Sequence, residues 1–265
     1  MRSRIFSIKA GFLFIIISSI GLSQGPTWSQ VTSGTPVGLR GVHFVDPYTG
    51  WVVGLNGKIL KSTDGGSSWS DQTNSVTAEH LWDVYFIDSN TGYAVGADDH
   101  IIKTTNGGSS WSNINNSGLS GTWYGVHFID SNTGWVVGGG SNIIVKTTDG
   151  GSTWTNQSIG NNGILEGVFF INENTGWVVG TSNGVYKTTD GGTNWTAQTN
   201  GLSDINNETI RKVYFTDSNT GWICGGGAIY NTTDGGSNWS FQIAEANEIR
   251  NVNFVDSNNG WAAGF

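Results

Sequence analysis

The chain runs in short apolar stretches broken every few residues by Gly, Asn, Asp, Ser and Thr. GVHFVD (Gly41 to Asp46) alternates apolar and polar positions, stops at a Pro-Tyr-Thr-Gly turn and resumes as WVVG. A second Gly/Asn turn leads to KILKST (Lys58 to Thr63), and a DGG turn leads to a final run beginning at Trp69. Alternation with a period of two, bounded by turn residues, predicts four successive strands. No segment keeps a helical period long enough to compete.

This pattern repeats. The turn phrase reads DPYTGWVVG from Asp46, DSNTGYAVG from Asp88, DSNTGWVVG from Asp130, NENTGWVVG from Asn172, DSNTGWICG from Asp217 and DSNNGWAAG from Asp256. Its aromatic residue falls at Trp51, Tyr93, Trp135, Trp177, Trp222 and Trp261, with spacings of 42, 42, 42, 45 and 39 residues. Four strands per repeat at this period predict an all-β fold, a β-propeller with one four-stranded blade per repeat. The sequence supplies five full blades and a partial sixth, as expected of a piece of a six- or seven-bladed ring. Trp28 in PTWSQVT lies 41 residues before Trp69 and matches the residue that begins each fourth strand, so it is expected on the outer strand of the last blade.

Composition agrees with this architecture: 41 Gly and 13 Trp with only 12% charged residues disfavour helices and suit pleated, half-buried surfaces. Residues 1–23 differ in character. Arg2, Arg4 and Lys9 precede the apolar run Gly11 to Leu22, which is short for a membrane span, and Gly21 and Ser23 offer a cleavage site before Gln24. We read 1–23 as a signal peptide and 24–265 as the propeller domain, exported and without membrane insertion once the signal is removed. The remaining domain carries nine basic and twenty acidic residues, a net charge of −11, which disfavours nucleic acid as a partner. A lone Cys224 in an apolar run is expected to be a small buried residue.

The DGG turns share the pattern Ser/Thr-x-Asp-x-Gly-x-x-Trp. It appears as Asp64, Gly66 and Trp69; Asp149, Gly151 and Trp154; Asp190, Gly192 and Trp195; and Asp234, Gly236 and Trp239. A fifth copy has Asn106 with Gly108 and Trp111. Asn accepts turn hydrogen bonds as Asp does but is a poor acid and a weak metal ligand. The motif therefore reads as a structural hairpin fastener at the blade edge, with no metal, cofactor or catalytic role expected.

Positions shared by the repeats serve the blade, and positions that break them are free for function. Val42, Val84, Val126, Val168, Val213 and Val252 form one core column, and Phe44, Phe86, Phe128, Phe170, Phe215 and Phe254 another. Two residues before each Val stand Arg40, Trp82, Tyr124, Glu166, Arg211 and Arg250, different in almost every repeat. First strands line the central channel, so this column predicts a ring of side chains at one mouth. Its aromatics and arginines suit a partner surface. His43 and His127 share a column, but the four histidines show no zinc-ligand spacing.

The DGG pattern resembles the Asp box, or BNR repeat, of sialidase-type propellers. Together with the export signal and the TGWxVG turns, it resembles the photosystem II stability/assembly factor-like family over residues 27–265. That resemblance implies a monomeric, non-catalytic protein binder whose arginine-rich patch maps to Arg40, Arg211 and Arg250. It also implies a thylakoid-lumen location in a photosynthetic host, with a secreted, periplasmic or cell-surface location otherwise. Two alternatives stay open: a surface module for acidic glycans, and a sialidase-like hydrolase using Tyr124 and Glu166 as nucleophile and base. Against the hydrolase, Arg40 stands in GLRGV and the Arg-Ile-Pro signature of that group is absent.

Overall fold

The computed structural model describes residues 12–16, 28–73, 76–114, 119–139, 143–160, 163–182, 184–202, 209–244, 249–254 and 260–264. Two strands, β1 (Phe12–Ile16) and β2 (Trp28–Thr32), come first and pair antiparallel. Five complete four-stranded antiparallel blades follow. Blade one is β3 (Leu39–Phe44), β4 (Gly50–Gly54), β5 (Ile59–Ser62) and β6 (Ser70–Asp71). Blade two is β7 (Leu81–Phe86), β8 (Gly92–Gly96), β9 (Ile101–Thr104) and β10 (Ser112–Asn113). Blade three is β11 (Trp123–Phe128), β12 (Gly134–Gly138), β13 (Ile143–Thr147) and β14 (Thr155–Gln157). Blade four is β15 (Leu165–Phe170), β16 (Gly176–Gly180), β17 (Gly184–Thr188) and β18 (Thr196–Ala197). Blade five is β19 (Ile210–Phe215), β20 (Gly221–Gly225), β21 (Ala228–Thr232) and β22 (Ser240–Ala244). The hairpin β23 (Ile249–Phe254) and β24 (Gly260–Gly264) packs on β19 and β20 as the next blade position, and β1 lies beside β24.

Part of the apolar run read as an export signal thus stands in the structure as β1, between β24 and the Trp28 strand. The rest of residues 1–23, and the segment 17–27, lie outside the described residues, as does the side chain of Phe254. Among the described residues no helix is long and apolar enough to cross a membrane.

The second strand of each complete blade is buried along its whole length, which is why it reads as a continuous apolar run. Its first glycine is fixed by packing: a Cβ on Gly134 would fall 2.4 Å from the Phe128 ring. The blades are joined by aromatic stacking between neighbours. Trp51 lies flat on Phe86 at 3.5 Å, Tyr93 on Phe128 at 3.7 Å, Trp135 on Phe170 at 3.5 Å and Trp177 on Phe215 at 3.6 Å. The box tryptophan of the second blade then meets the far side of the Phe edge-on, as Trp111 does to Phe86 at 5.7 Å. Phe86, Phe128, Phe170 and Phe215 of the core column are therefore held between two blades, so burial and ring order are set by the same contact. Cys224 is buried within this packing.

Candidate functional site

Every first strand departs from regular pairing at one place. The register shifts between Leu39 and Gly41, Leu81 and Asp83, Trp123 and Gly125, Leu165 and Gly167, Ile210 and Lys212, and Ile249 and Asn251. Such a bulge puts two residues opposite one and turns consecutive side chains toward the same side. The variable column sits on these bulges. Arg40, Trp82, Tyr124, Glu166, Arg211 and Arg250 all line one open basin. Asp83, Lys212 and Asn251, each one residue further along, line it too.

The wall of the basin is ordered by contacts between blades. The Arg40 guanidinium lies 5.1 Å from the centre of the Trp82 ring, which meets Tyr124 at 5.7 Å and is flanked edge-on by His80. Arg211 Nη1 donates to Glu166 Oε1 at 2.8 Å. Of the three arginines expected at the mouth, Arg211 is thus engaged by a carboxylate of the neighbouring blade. Burial first, and then the charge of Glu166, raise the Tyr124 hydroxyl above its ordinary value.

The floor was not foreseen. Lys212 Nζ donates to Asp83 Oδ2 at 2.7 Å, joining blades five and two, and the Val126 N–H donates to the same oxygen at 3.2 Å. Below it a collar of rings follows the next channel-facing column. His43, Tyr85, His127, Phe169 and Tyr214 stand with successive centroids 4.4, 4.7, 4.6 and 5.0 Å apart. First strands are blade edges with open N–H groups, and side chains from the preceding blade meet some of them. The Phe86 N–H donates to His43 Nδ1 at 3.2 Å and the Phe170 N–H to His127 Nδ1 at 3.4 Å. Burial, and then the Lys212 charge, lower both histidines to about 3, so both are neutral.

None of the five boxes contributes to the basin. In the third box, Asp149 Oδ1 accepts from Thr147 Oγ1 at 2.8 Å and from the Thr153 N–H at 2.8 Å, while Oδ2 accepts from Thr153 Oγ1 at 2.6 Å. Those bonds hold the Asp64, Asp149, Asp190 and Asp234 carboxyls below their ordinary value, the side-chain donor four residues on contributing most. Asn106 makes the same set, its Nδ2 donating to Ser110 Oγ at 2.8 Å in place of the reversed bond. Both glycines of every box take the left-handed conformation.

The box also reaches the preceding blade. The first-glycine carbonyl of Gly107 accepts from Trp51 Nε1 at 3.1 Å and from Lys61 Nζ at 3.1 Å. Gly235 accepts likewise from Trp177 at 3.0 Å and Lys187 at 3.1 Å. The fastener therefore joins blades as well as closing a hairpin. Among the described residues no group of three or more His, Cys, Asp or Glu is arranged to hold a metal ion.

No curated protein sequence matches the chain. Several solved structures share its fold. A structure of YCF48 bound to a D1 peptide has a TM-score of 0.67 at 20% identity, covering 97% of this chain and 79% of that one. YCF48 from Cyanidioschyzon merolae has a TM-score of 0.57 at 19% identity, covering 85% and 92%. A GH74 enzyme from Niastella koreensis has a TM-score of 0.62 at 21% identity, with 78% of this chain matched to only 38% of the enzyme. The family described as photosynthesis system II assembly factor YCF48 matches residues 22–118, 71–162 and 154–249. The blades and boxes built above are the units that this match spans, and the chain belongs to that family.

Proposed function

We propose that this chain is an exported, non-catalytic propeller that holds a protein segment in the mouth basin through carboxylates on the partner. One observation carries the reading: six residues that break the repeat, one on each successive first strand, line a single basin. Four cations and two carboxylates there give a local net charge of +2 in a domain of net charge −11. Local charge of opposite sign to the whole favours one anionic partner at one place. Family membership supports a protein-binding role in assembly, and the similar YCF48 structure holds a D1 peptide.

Guanidinium groups pair with carboxylates through two parallel hydrogen bonds. Replacing Arg40 or Arg250 by Glu is expected to weaken partner binding by about 2–5 kcal/mol where the pair is buried. Pull-downs from the native host, wild type against the Arg40→Glu and Arg250→Glu variants, test this. An unchanged set of partners would reject the site.

Export rests on the composition of residues 1–23. Intact-mass measurement of the protein from its host is expected to show an N-terminus at Gln24. A full-length N-terminus would instead keep β1 in the fold and reject export by this route.

The GH74 likeness keeps a hydrolase as the second reading. The basin is poorly arranged for it. Its two carboxylates, Asp83 and Glu166, are each engaged by a cation, and Tyr124 is shifted away from the ionised form a nucleophile needs. Sugar release from a polysaccharide or a sialoside by the wild type, lost in Glu166→Gln, would favour the hydrolase. An acidic glycan held without turnover would appear as binding that survives removal of every protein partner.

A further inference from the structure

The column next to the mouth ring reads Gly41, Asp83, Gly125, Gly167, Lys212 and Asn251. Three glycines there are enforced by the close approach of neighbouring first strands. A Cβ on Gly41 would lie 2.8 Å from Asp83 Cα, one on Gly125 2.9 Å from the Glu166 carbonyl, and one on Gly167 2.9 Å from the Arg211 carbonyl. Asp83, Lys212 and Asn251 depart from this rule, and the first two send a carboxylate and an ammonium toward each other across the basin floor.

The side chains are only 5% and 19% exposed. A buried ion pair returns little net stability once desolvation is counted, and its apolar replacement is often neutral. Ring closure therefore gives no reason for a charged pair at this place. What the pair does change is the charge offered to a ligand. Without Asp83 the floor would present a bare ammonium under three rim arginines and aromatics, a site for a compact anion. With Asp83 the floor is neutral, and the rim arginines remain the anionic subsites.

We propose that Asp83 is a specificity-determining residue that holds Lys212 in a bridge across the axis. The basin then accepts carboxylates at its rim and rejects compact anions, such as phosphate or sulfate groups, on its floor. The proposal deepens the binding role assigned to this basin but makes a claim about the floor that can be tested without the native partner. Asn at position 83 can still accept the Val126 N–H, so Asp83→Asn removes the charge while keeping that bond.

The experiment uses the propeller as purified, with inorganic phosphate and a labelled hexaglutamate peptide as probes. Wild type is expected to show no thermal shift with millimolar phosphate. Asp83→Asn is expected to gain phosphate binding at least about tenfold tighter, and adding Lys212→Met to it abolishes the gain. The double variant Asp83→Leu/Lys212→Met is expected to bind hexaglutamate within about twofold of wild type, because the bridge is not a direct contact. Phosphate binding by wild type, or no gain in a folded Asp83→Asn, would overturn the proposal. Should Asp83→Asn fail to fold, loss of hexaglutamate binding in the double variant would overturn it instead. Gain of phosphate binding without hexaglutamate binding by any variant would uphold the floor and reject the rim arginines as the partner site.

Discussion

Replacing Trp177 by alanine is expected to cost about 3–5 kcal/mol of folding free energy, as a large truncation in a site that cannot collapse. Trp177 has no exposed surface, lies 3.6 Å above Phe215 of the next blade, and donates from Nε1 to the Gly235 carbonyl. The Lys187 ammonium covers its ring at 5.1 Å. Alanine leaves a void between two blades and removes a stacked pair worth about 0.5–1.5 kcal/mol beyond area burial. The Gly235 carbonyl keeps its bond from Lys187, so no acceptor is stranded and the cost stays within that range. Trp195, the box tryptophan of blade four, is partly exposed and meets Phe170 only edge-on at 6.0 Å. Trp195→Ala is expected to cost clearly less. Denaturant unfolding of both variants measures the difference, and equal costs would mean that stacking between blades contributes nothing.

The blade was legible because each repeat needs the same turns and the same buried columns, so identity within the chain marks them. Contacts between blades were not. Trp51 and the Gly107 carbonyl it meets are 56 residues apart, and nothing local in TGWVVG or KTTNGG shows that one reaches the other. Lys61 reads as an exposed strand residue, yet it lies over Trp51 at 4.9 Å and reaches the next box. The mouth ring was visible because Arg40, Trp82, Tyr124, Glu166, Arg211 and Arg250 break a repeated column.

The floor breaks its own column just as plainly, at Asp83, Lys212 and Asn251 against three glycines. Strict alternation hid it, since consecutive residues on a regular strand face opposite ways. Only the bulge turns both toward the basin, and a bulge leaves no mark in apolar periodicity. The pairing of Arg211 with Glu166 was hidden for another reason. A column of charges shows which groups are near one another but not which are already satisfied.

Stability is expected to fall as the pH drops from 7 to 5, and the collar histidines are the cause. Their folded pKa, lowered to about 3 by burial and then by Lys212, lies below the ordinary value of 6.5. The unfolded chain therefore binds the extra proton, and stability present above the unfolded pKa is lost as pH falls toward the folded one. Each fully buried histidine contributes a slope of about 1.4 kcal/mol per pH unit across that window, or about 2 kcal/mol between pH 7 and pH 5. His127, 6% exposed, should show nearly all of it, and the less buried His43 a smaller share. The box carboxyls are held below their ordinary value of 3.8 and titrate under this range. Phe169 fills the equivalent place in the next blade, so His127→Phe should fold, at the loss of one long bond from the Phe170 N–H. Urea unfolding at pH 7, 6 and 5 is expected to show a slope reduced by more than half in His127→Phe. An unchanged slope would place the acid sensitivity outside the collar.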